Sequence, residues 1–406
     1  MADRSEPVGR ALSRRRLLGG GAAALGAAGL TSAAGFTVGD ARAATPVTGG
    51  ETVEWRGIHQ AGVVTEPQSH ALFVGLNLVA GAGRREVTGI MKVWTEDIGR
   101  LTQGAPALAD TESELATRAS RLTVTVGFGP AVFDAVGLPE YRPSWLKPLP
   151  AFGIDRLDPN YSGGDLLLQV CADDPVTVAH AVRVLTKNVR SLVVVGWTQR
   201  GFRRSRGVEK PGTTMRNLMG QVDGTVNPSP DADDFEKLVW DDGSEQPWFR
   251  HGTSMVLRRI RIEMDTWDEL DRTGREQSVG RTLDTGAPLT GVGEFDEADF
   301  TATDRFGIPV IPPSSHIARA HHLHDGERIF RRAYNYDDPP GPGELSNSGL
   351  LFACYQRNVD TQFVPIQHRL DQFDALNEWT TPIGSAVFAI LPGVGHTGYL
   401  GGSLLD

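Results

Sequence analysis

The order of its periodic segments restricts the fold of this chain more than any other feature. Short β-rich runs alternate with helix-length amphipathic runs in a β-α-β-β-α-β order, and that order occurs twice. The first series passes through a strand at 70–79, a helix near 87–101, strands at 122–128 and 165–171, a helix at 175–189 and a strand at 192–198. The second passes through a strand at 253–262 and a polar helix and loop to about 281. Strands near 328–334 and 349–354, a helix around 370–379 and a strand at 385–391 complete it. This pattern predicts an α+β fold of antiparallel sheets with peripheral helices. Two long irregular stretches, 200–234 between the series and 282–315 inside the second, are of the length that is commonly functional in a compact domain.

Each series has the element order of a ferredoxin-like unit, so two such units packed together are expected, at 44–215 and 216–406. Residues 1–43 stand outside them. Ser13-Arg14-Arg15-Arg16-Leu17-Leu18 precedes an apolar Gly/Ala-rich run to about Ala34, and Ala41-Arg42-Ala43 supplies small residues at a signal-peptidase spacing. That order predicts a twin-arginine export signal, too short and Gly-rich for a membrane span. The expected location is periplasmic, extracellular or in the cell envelope. The net charge is −10, and the leader carries six Arg against three acids, which leaves about −13 on the rest, so nucleic acid and anionic membranes are not expected partners. Cys171 and Cys354 are the only cysteines, each inside an apolar run, and read as buried free thiols.

Three places carry candidate chemistry. Gly220-Gln221-Val222-Asp223-Gly224-Thr225 presents one acid between glycines, which is either a plain turn or a carboxylate that a flat ligand can approach. His316 follows Pro312-Pro313-Ser314-Ser315, and His321, His322 and His324 come soon after. One histidine as an axial haem ligand, a zinc or copper cluster, and no metal role at all are all compatible with that spacing. Ile329-Phe330-Arg331-Arg332-Ala333-Tyr334 alternates apolar and charged residues, so one arginine faces inward and needs an anion, either a structural acid or a bound peroxide.

These three segments occur in the same order in the dye-decolourising peroxidases, which the chain resembles from about 50 to 400. Further stretches carry the resemblance: Gly57-Ile58-His59-Gln60-Ala61-Gly62, Val126-Gly127-Phe128-Gly129-Pro130, Glu276-Gln277-Ser278-Val279-Gly280-Arg281 and Gly349-Leu350-Leu351-Phe352. With the leader, the chain is similar to the exported, deferrochelatase-like branch. The resemblance implies one haem b per chain in the C-terminal unit, with His316 as the proximal iron ligand. Asp223 resembles the distal acid and Arg331 the distal arginine. Phe352 would cover the distal face, and Gly224 and Thr225 would line the haem edge. Glu378 takes the place of the carboxylate behind the histidine, with Asp371 as its alternative. Ala318 and His321-His322 depart from the family, which often has Arg and Asn-Pro after the ligand segment.

The implied activity is oxidation of dyes, phenols or other small aromatic donors by hydrogen peroxide through a ferryl intermediate, with homo-oligomers among the expected assemblies. Release of iron from intact porphyrin is the alternative. An aspartate of ordinary pKa, about 4, acting as base predicts an acidic optimum. Eight Trp and six Tyr, Trp379 and Tyr334 among them, make electron transfer to surface-bound donors an expectation as well.

Overall fold

The computed structural model describes residues 48–406, so the export signal expected at 1–43 lies outside the described residues. The first series forms β1 (His70–Leu78), α1 (Arg84–Leu101), β2 (Thr123–Phe128), β3 (Leu166–Ala172), α2 (Pro175–Val189) and β4 (Val193–Phe202). All its pairings are antiparallel, in the order β4-β1-β3-β2. This is the ferredoxin-like arrangement. Residues 72, 74 and 76 of β1 face outward beneath α1, whose Val87, Ile90, Met91, Trp94 and Ile98 form one apolar stripe. Each large side chain buried this way contributes roughly 1.5–3 kcal/mol. Asp174 starts α2 by accepting from Thr177 N at 2.8 Å, ahead of Pro175 in the first turn.

The second series forms β5 (Thr253–Ile262), α3 (Arg272–Val279), α4 (His316–Ala320), β6 (Phe330–Arg331), β7 (Tyr334–Asp337), β8 (Ser348–Gln356), α5 (Val364–Phe373) and β9 (Thr380–Ile390). Its order is β9-β5-β8 with β6 and β7 sharing the outer place, the same permutation as the first unit. The strand expected at 328–334 is broken in two. Arg332 N still donates to Ala353 O at 2.8 Å, and β7 resumes against β8 in the same register, so only the regular pairing lapses at 332–333. The helix expected at 370–379 ends at Phe373, and a separate 3-10 turn covers Ala375–Glu378.

The two sheets also join along both margins. Gly127 and Phe128 of β2 pair with Ile390 and Ala389 of β9, and Phe202 of β4 pairs with Asn335 of β7. With β5 bonded to both β8 and β9, the strands close into one ring. Its interior is filled from both units by Phe73, Leu167, Trp197, Leu257, Tyr334 and Phe388, among others. Gly75 is required there, because a Cβ on it would lie 2.2 Å from the Trp197 ring. Arg332 is the inward arginine of its pair. Its guanidinium donates to Thr65 O and Gln68 Oε1 inside the ring, while Arg331 lies on the opposite, outer face of the second sheet. Cys171 and Cys354 are free and buried, and burial raises both thiol pKa values.

Candidate active site

The outer face of the second sheet carries Ile260, Phe352 and Arg331, one from each of β5, β8 and β6. Ile260 and Phe352 pack with Met215, Ala333 and Leu350 as a small apolar floor. The Asp223 loop crosses this floor. Arg216 and Val222 form an isolated bridge, and Asp223 N donates to Met215 O at 2.8 Å. Gly220 and Gly224 have φ of +84° and +130°, backbone that a side chain would strain. The glycines therefore do more than clear space, since they permit the reversal that presents Asp223.

Arg331 Nη1 lies 3.4 Å from Asp223 Oδ1, and the two side chains are 24% and 18% exposed. Asn217 Nδ2 approaches the other oxygen at 3.4 Å. Thr225 does not point its hydroxyl at open space. It donates to Glu294 Oε1 at 3.0 Å, and Thr214 donates to the same oxygen at 2.5 Å. Glu294 comes from the irregular stretch between α3 and α4 and so ties that stretch to both flanks of the Asp223 loop. Arg281 holds its backbone, donating to Glu294 O at 2.9 Å. Burial lowers the pKa of that guanidinium, as does the charge of Arg331.

His316 is the first residue of α4. Ser315 N donates to Pro312 O, so the Pro-Pro-Ser-Ser lead is a turn that sets the start of the helix. The imidazole Nδ1 lies 2.7 Å from Asp374 Oδ2. A carboxylate only accepts, so Nδ1 carries a proton, and in the neutral ring the lone pair is then on Nε2. Nε2 has no hydrogen-bond partner among the described residues, and the side chain is 35% exposed. Burial disfavours the charged ring, but Asp374, by charge and hydrogen bond, outweighs it and raises the histidine pKa. The charges of Asp223 and Arg331 also act on this ring, with opposite signs. The acid and the guanidinium form one pair on the sheet face, and the imidazole and Asp374 form another at the start of α4.

The carboxylate behind His316 is Asp374, which corrects the expectation of Glu378 or Asp371. Asp374 is the first residue beyond α5, and Ala375 N donates to Ser314 O at 2.8 Å, which lays the turn against the His316 segment. Its Oδ1 caps that turn by accepting from Leu376 N at 3.0 Å, leaving Oδ2 for the histidine. Glu378 is a full turn further on and exposed, in a surface groove of about 490 Å³ with Glu263, Glu269 and Trp379. Asp371 accepts from Ile154 N at 2.9 Å instead.

The other histidines do not assemble a metal centre. His321 packs against Phe300 and His322, and His324 lies 3.5 Å from Glu327. Among the described residues no three His, Cys, Asp or Glu side chains converge as a metal site. Of the expected electron carriers, Tyr334 is fully buried inside the ring with Arg203 over its face, and Trp379 stacks edge-on against Trp267 at 5.2 Å. One residue absent from the sequence reading stands beside the site. Asn227 accepts from Arg331 N at 2.7 Å and donates to Arg331 O at 2.9 Å. Its only signal was the Asn-Pro that closes the glycine loop.

Residues 60–203 match the N-terminal domain of Dyp-type peroxidases, and residues 214–395 match the C-terminal domain. The chain is 38% identical to a dye-decolorizing peroxidase of Thermobifida fusca over 80% of its own length and 76% of that protein's. It is 34% identical to a deferrochelatase of Escherichia coli, over 97% of both chains. Among solved structures, the DyP-type peroxidase from Cellulomonas bogoriensis is 55% identical with a TM-score of 0.87, over 89% of this chain and all of that one. The chain belongs to the Dyp-type peroxidase family of haem peroxidases, oxidoreductases that take peroxide as electron acceptor. No described helix is long and apolar enough to cross a membrane.

Proposed function

We propose that this chain holds one haem b between the outer face of its second sheet and the start of α4, with His316 Nε2 as the iron ligand. The donor set fits that group. One imidazole nitrogen is fixed by Asp374 and the other is free, as a metal-binding histidine requires. Met215, Ile260 and Phe352 supply apolar surface, and Asp223 and Arg331 supply the polar groups facing it. Gly224 and Thr225 directly follow Asp223 on its loop. When bound, the haem supplies the redox chemistry, accepting the oxidising equivalents of hydrogen peroxide and passing them singly to small aromatic donors.

The residues of the chain do the rest. Asp374 holds the imidazole proton at Nδ1 and makes the ring a stronger electron donor. Asp223 accepts a proton from one peroxide oxygen and returns it to the other, so that water leaves. Arg331 stabilises the negative charge that develops on the departing oxygen. The observation that carries this reading is that His316 has one ring nitrogen held by a buried carboxylate at 2.7 Å and the other without a hydrogen-bond partner among the described residues, in a chain that also pairs Asp223 with Arg331 on the sheet face.

Arg331→Leu and Asp223→Ala should each slow the reaction with peroxide, measured by stopped-flow absorbance, while the haem stays bound. His316→Ala should abolish the ferric Soret band after reconstitution with hemin. An unchanged band in that variant would end the ligand assignment. A second reading, iron release from intact porphyrin, is favoured by the deferrochelatase relative that matches 97% of the chain. Haem turnover that yields fluorescent free porphyrin would support it. Export through the twin-arginine route rests on the Arg14–Arg16 leader, and the N-terminus of the secreted protein should begin at Ala44.

A further inference from the structure

β6 is a two-residue strand at the end of its sheet, and it carries Arg331. Phe330 pairs with Tyr355 and Arg331 with Cys354, and Arg332 N donates to Ala353 O. In an antiparallel pair the hydrogen-bonded positions alternate. Arg332 bonds to β8, so the N–H and C=O of Arg331 point away from β8, toward the open edge. An open edge of this kind leaves a backbone donor and acceptor without partners and the strand free to shift.

The Asn227 side chain fills that edge. Its carboxamide oxygen takes the Arg331 N–H at 2.7 Å and its NH₂ meets the Arg331 C=O at 2.9 Å, as the backbone of a neighbouring strand would. Asn227 is joined to Asp223 by a short hydrogen-bonded turn. Its own N–H donates to Gly224 O at 3.0 Å, and Asp223 N is held on Met215 O at 2.8 Å. Among the described residues, the hydrogen bonds joining 222–228 to 330–332 are these two and the 3.4 Å contact of Arg331 with Asp223 itself. That last contact is long, so it does not set the spacing alone.

We propose that Asn227 is the positioning residue of the peroxide-cleaving pair: by closing the edge of β6 at Arg331, it fixes the guanidinium relative to the carboxylate carried on its own loop. This rests on the reading of Asp223 and Arg331 as the proton-transfer and charge-stabilising groups. The side chain touches the Arg331 backbone, and its effect is exerted through Arg331.

The test uses haem-loaded protein, with the peroxide rate constant expressed per bound haem and Arg331→Leu measured alongside. Asn227→Ala should lower the rate constant for peroxide by about tenfold to a hundredfold, the cost of a misplacement on the order of 1 Å. The KM for the aromatic donor and the Soret band should be unchanged. Asn227→Asp keeps the acceptor for Arg331 N–H but sets a carboxylate oxygen against Arg331 O. It should be slow near neutral pH and recover relative to the wild type as pH falls, because the protonated carboxyl regains a donor. A residue that only stabilises the fold would give a lower unfolding midpoint with no such pH-dependent recovery. If Arg331→Leu slows the peroxide step while both Asn227 variants react at the wild-type rate per haem, the proposal is overturned. If Arg331→Leu itself leaves that step unchanged, the reading beneath it falls as well. Should Asn227→Ala fail to fold, the Asn227→Asp pH profile alone decides.

Discussion

Replacing Asp374 with Asn separates two roles that one carboxylate now combines. Oδ1 caps the turn at Leu376 N, 3.0 Å away, and Oδ2 takes the His316 Nδ1 proton at 2.7 Å. An amide has a single oxygen, so Asp374→Asn can satisfy one of these donors and must present NH₂ to the other. The side chain is only 4% exposed, so water cannot make up the difference. A charge-assisted hydrogen bond of this kind contributes about 1.5–3 kcal/mol. At about 1.4 kcal/mol per factor of ten, haem retention should weaken by roughly 10- to 100-fold. The assay is transfer of haem from the protein to an excess of an apo haem acceptor, followed in the Soret region, with the ferric reduction potential as a second readout. Loss of the anionic partner should raise that potential. Glu378→Gln is the internal control and should change neither quantity, because Glu378 lies in the exposed groove with Glu263 and Trp379. If Glu378→Gln perturbs both readouts and Asp374→Asn perturbs neither, the assignment of the proximal carboxylate is wrong.

Two further predictions concern stability. Glu327 is buried, accepts from Leu323 N and pairs with Arg369 at 3.0 Å. Burial alone would raise its pKa, but these partners and the charge of His324 hold it below the usual glutamate range. A depressed carboxylate contributes stability above its unfolded pKa, about 4.3, and loses it as pH falls through the lower folded value. Glu327→Gln should therefore be destabilised near pH 7 by about 1–3 kcal/mol, and its unfolding midpoint should converge on that of the wild type in acid. Parallel curves down to low pH would refute the linkage. Gly75→Ala places a methyl 2.2 Å from the buried Trp197 ring, which also donates to Gly163 O at 2.9 Å. Overpacking of this kind costs about 1–3 kcal/mol, read as a lower midpoint in denaturant. An unaltered midpoint would mean the ring moves aside without penalty.

The doubled series was legible because each strand and helix carries its own periodicity. The apolar stripe of α1 and the buried runs of β2 and β3 need no partner to be recognised. The closure of the ring was not legible, since it rests on two residue pairs at one margin and a single pair at the other. At the site, Asp223 stood out because positive φ on both sides demands glycine. The proximal carboxylate did not. Asp371, Asp374 and Glu378 lie within eight residues, and which one meets His316 depends on where α5 stops. Asn227 was unreadable for a different reason. Its target is 104 residues away, and an Asn after a glycine turn looks like more turn. The arginine pair shows the limit of alternation. Strand periodicity says that one of the two faces inward, and Arg332 does, whereas Arg331, on the other face, is the one the family resemblance singles out.

The sewing of the sheets along both margins has a consequence for biosynthesis. Residues 127 and 128 pair with β3 on one side, but on the other side they find a neighbour only when 389 and 390 have been made. Until then the inner face of the first unit, with Phe73, Leu167 and Trp197, lacks the part of its cover that Ala386, Phe388 and Ile390 supply. A ribosome-bound or truncated N-terminal half would present a sticky greasy surface flanked by two bare strands, the combination that drives polymerisation. Closure of the ring therefore waits for β9. Fragments ending before β9 should accumulate as aggregates rather than as a smaller folded domain.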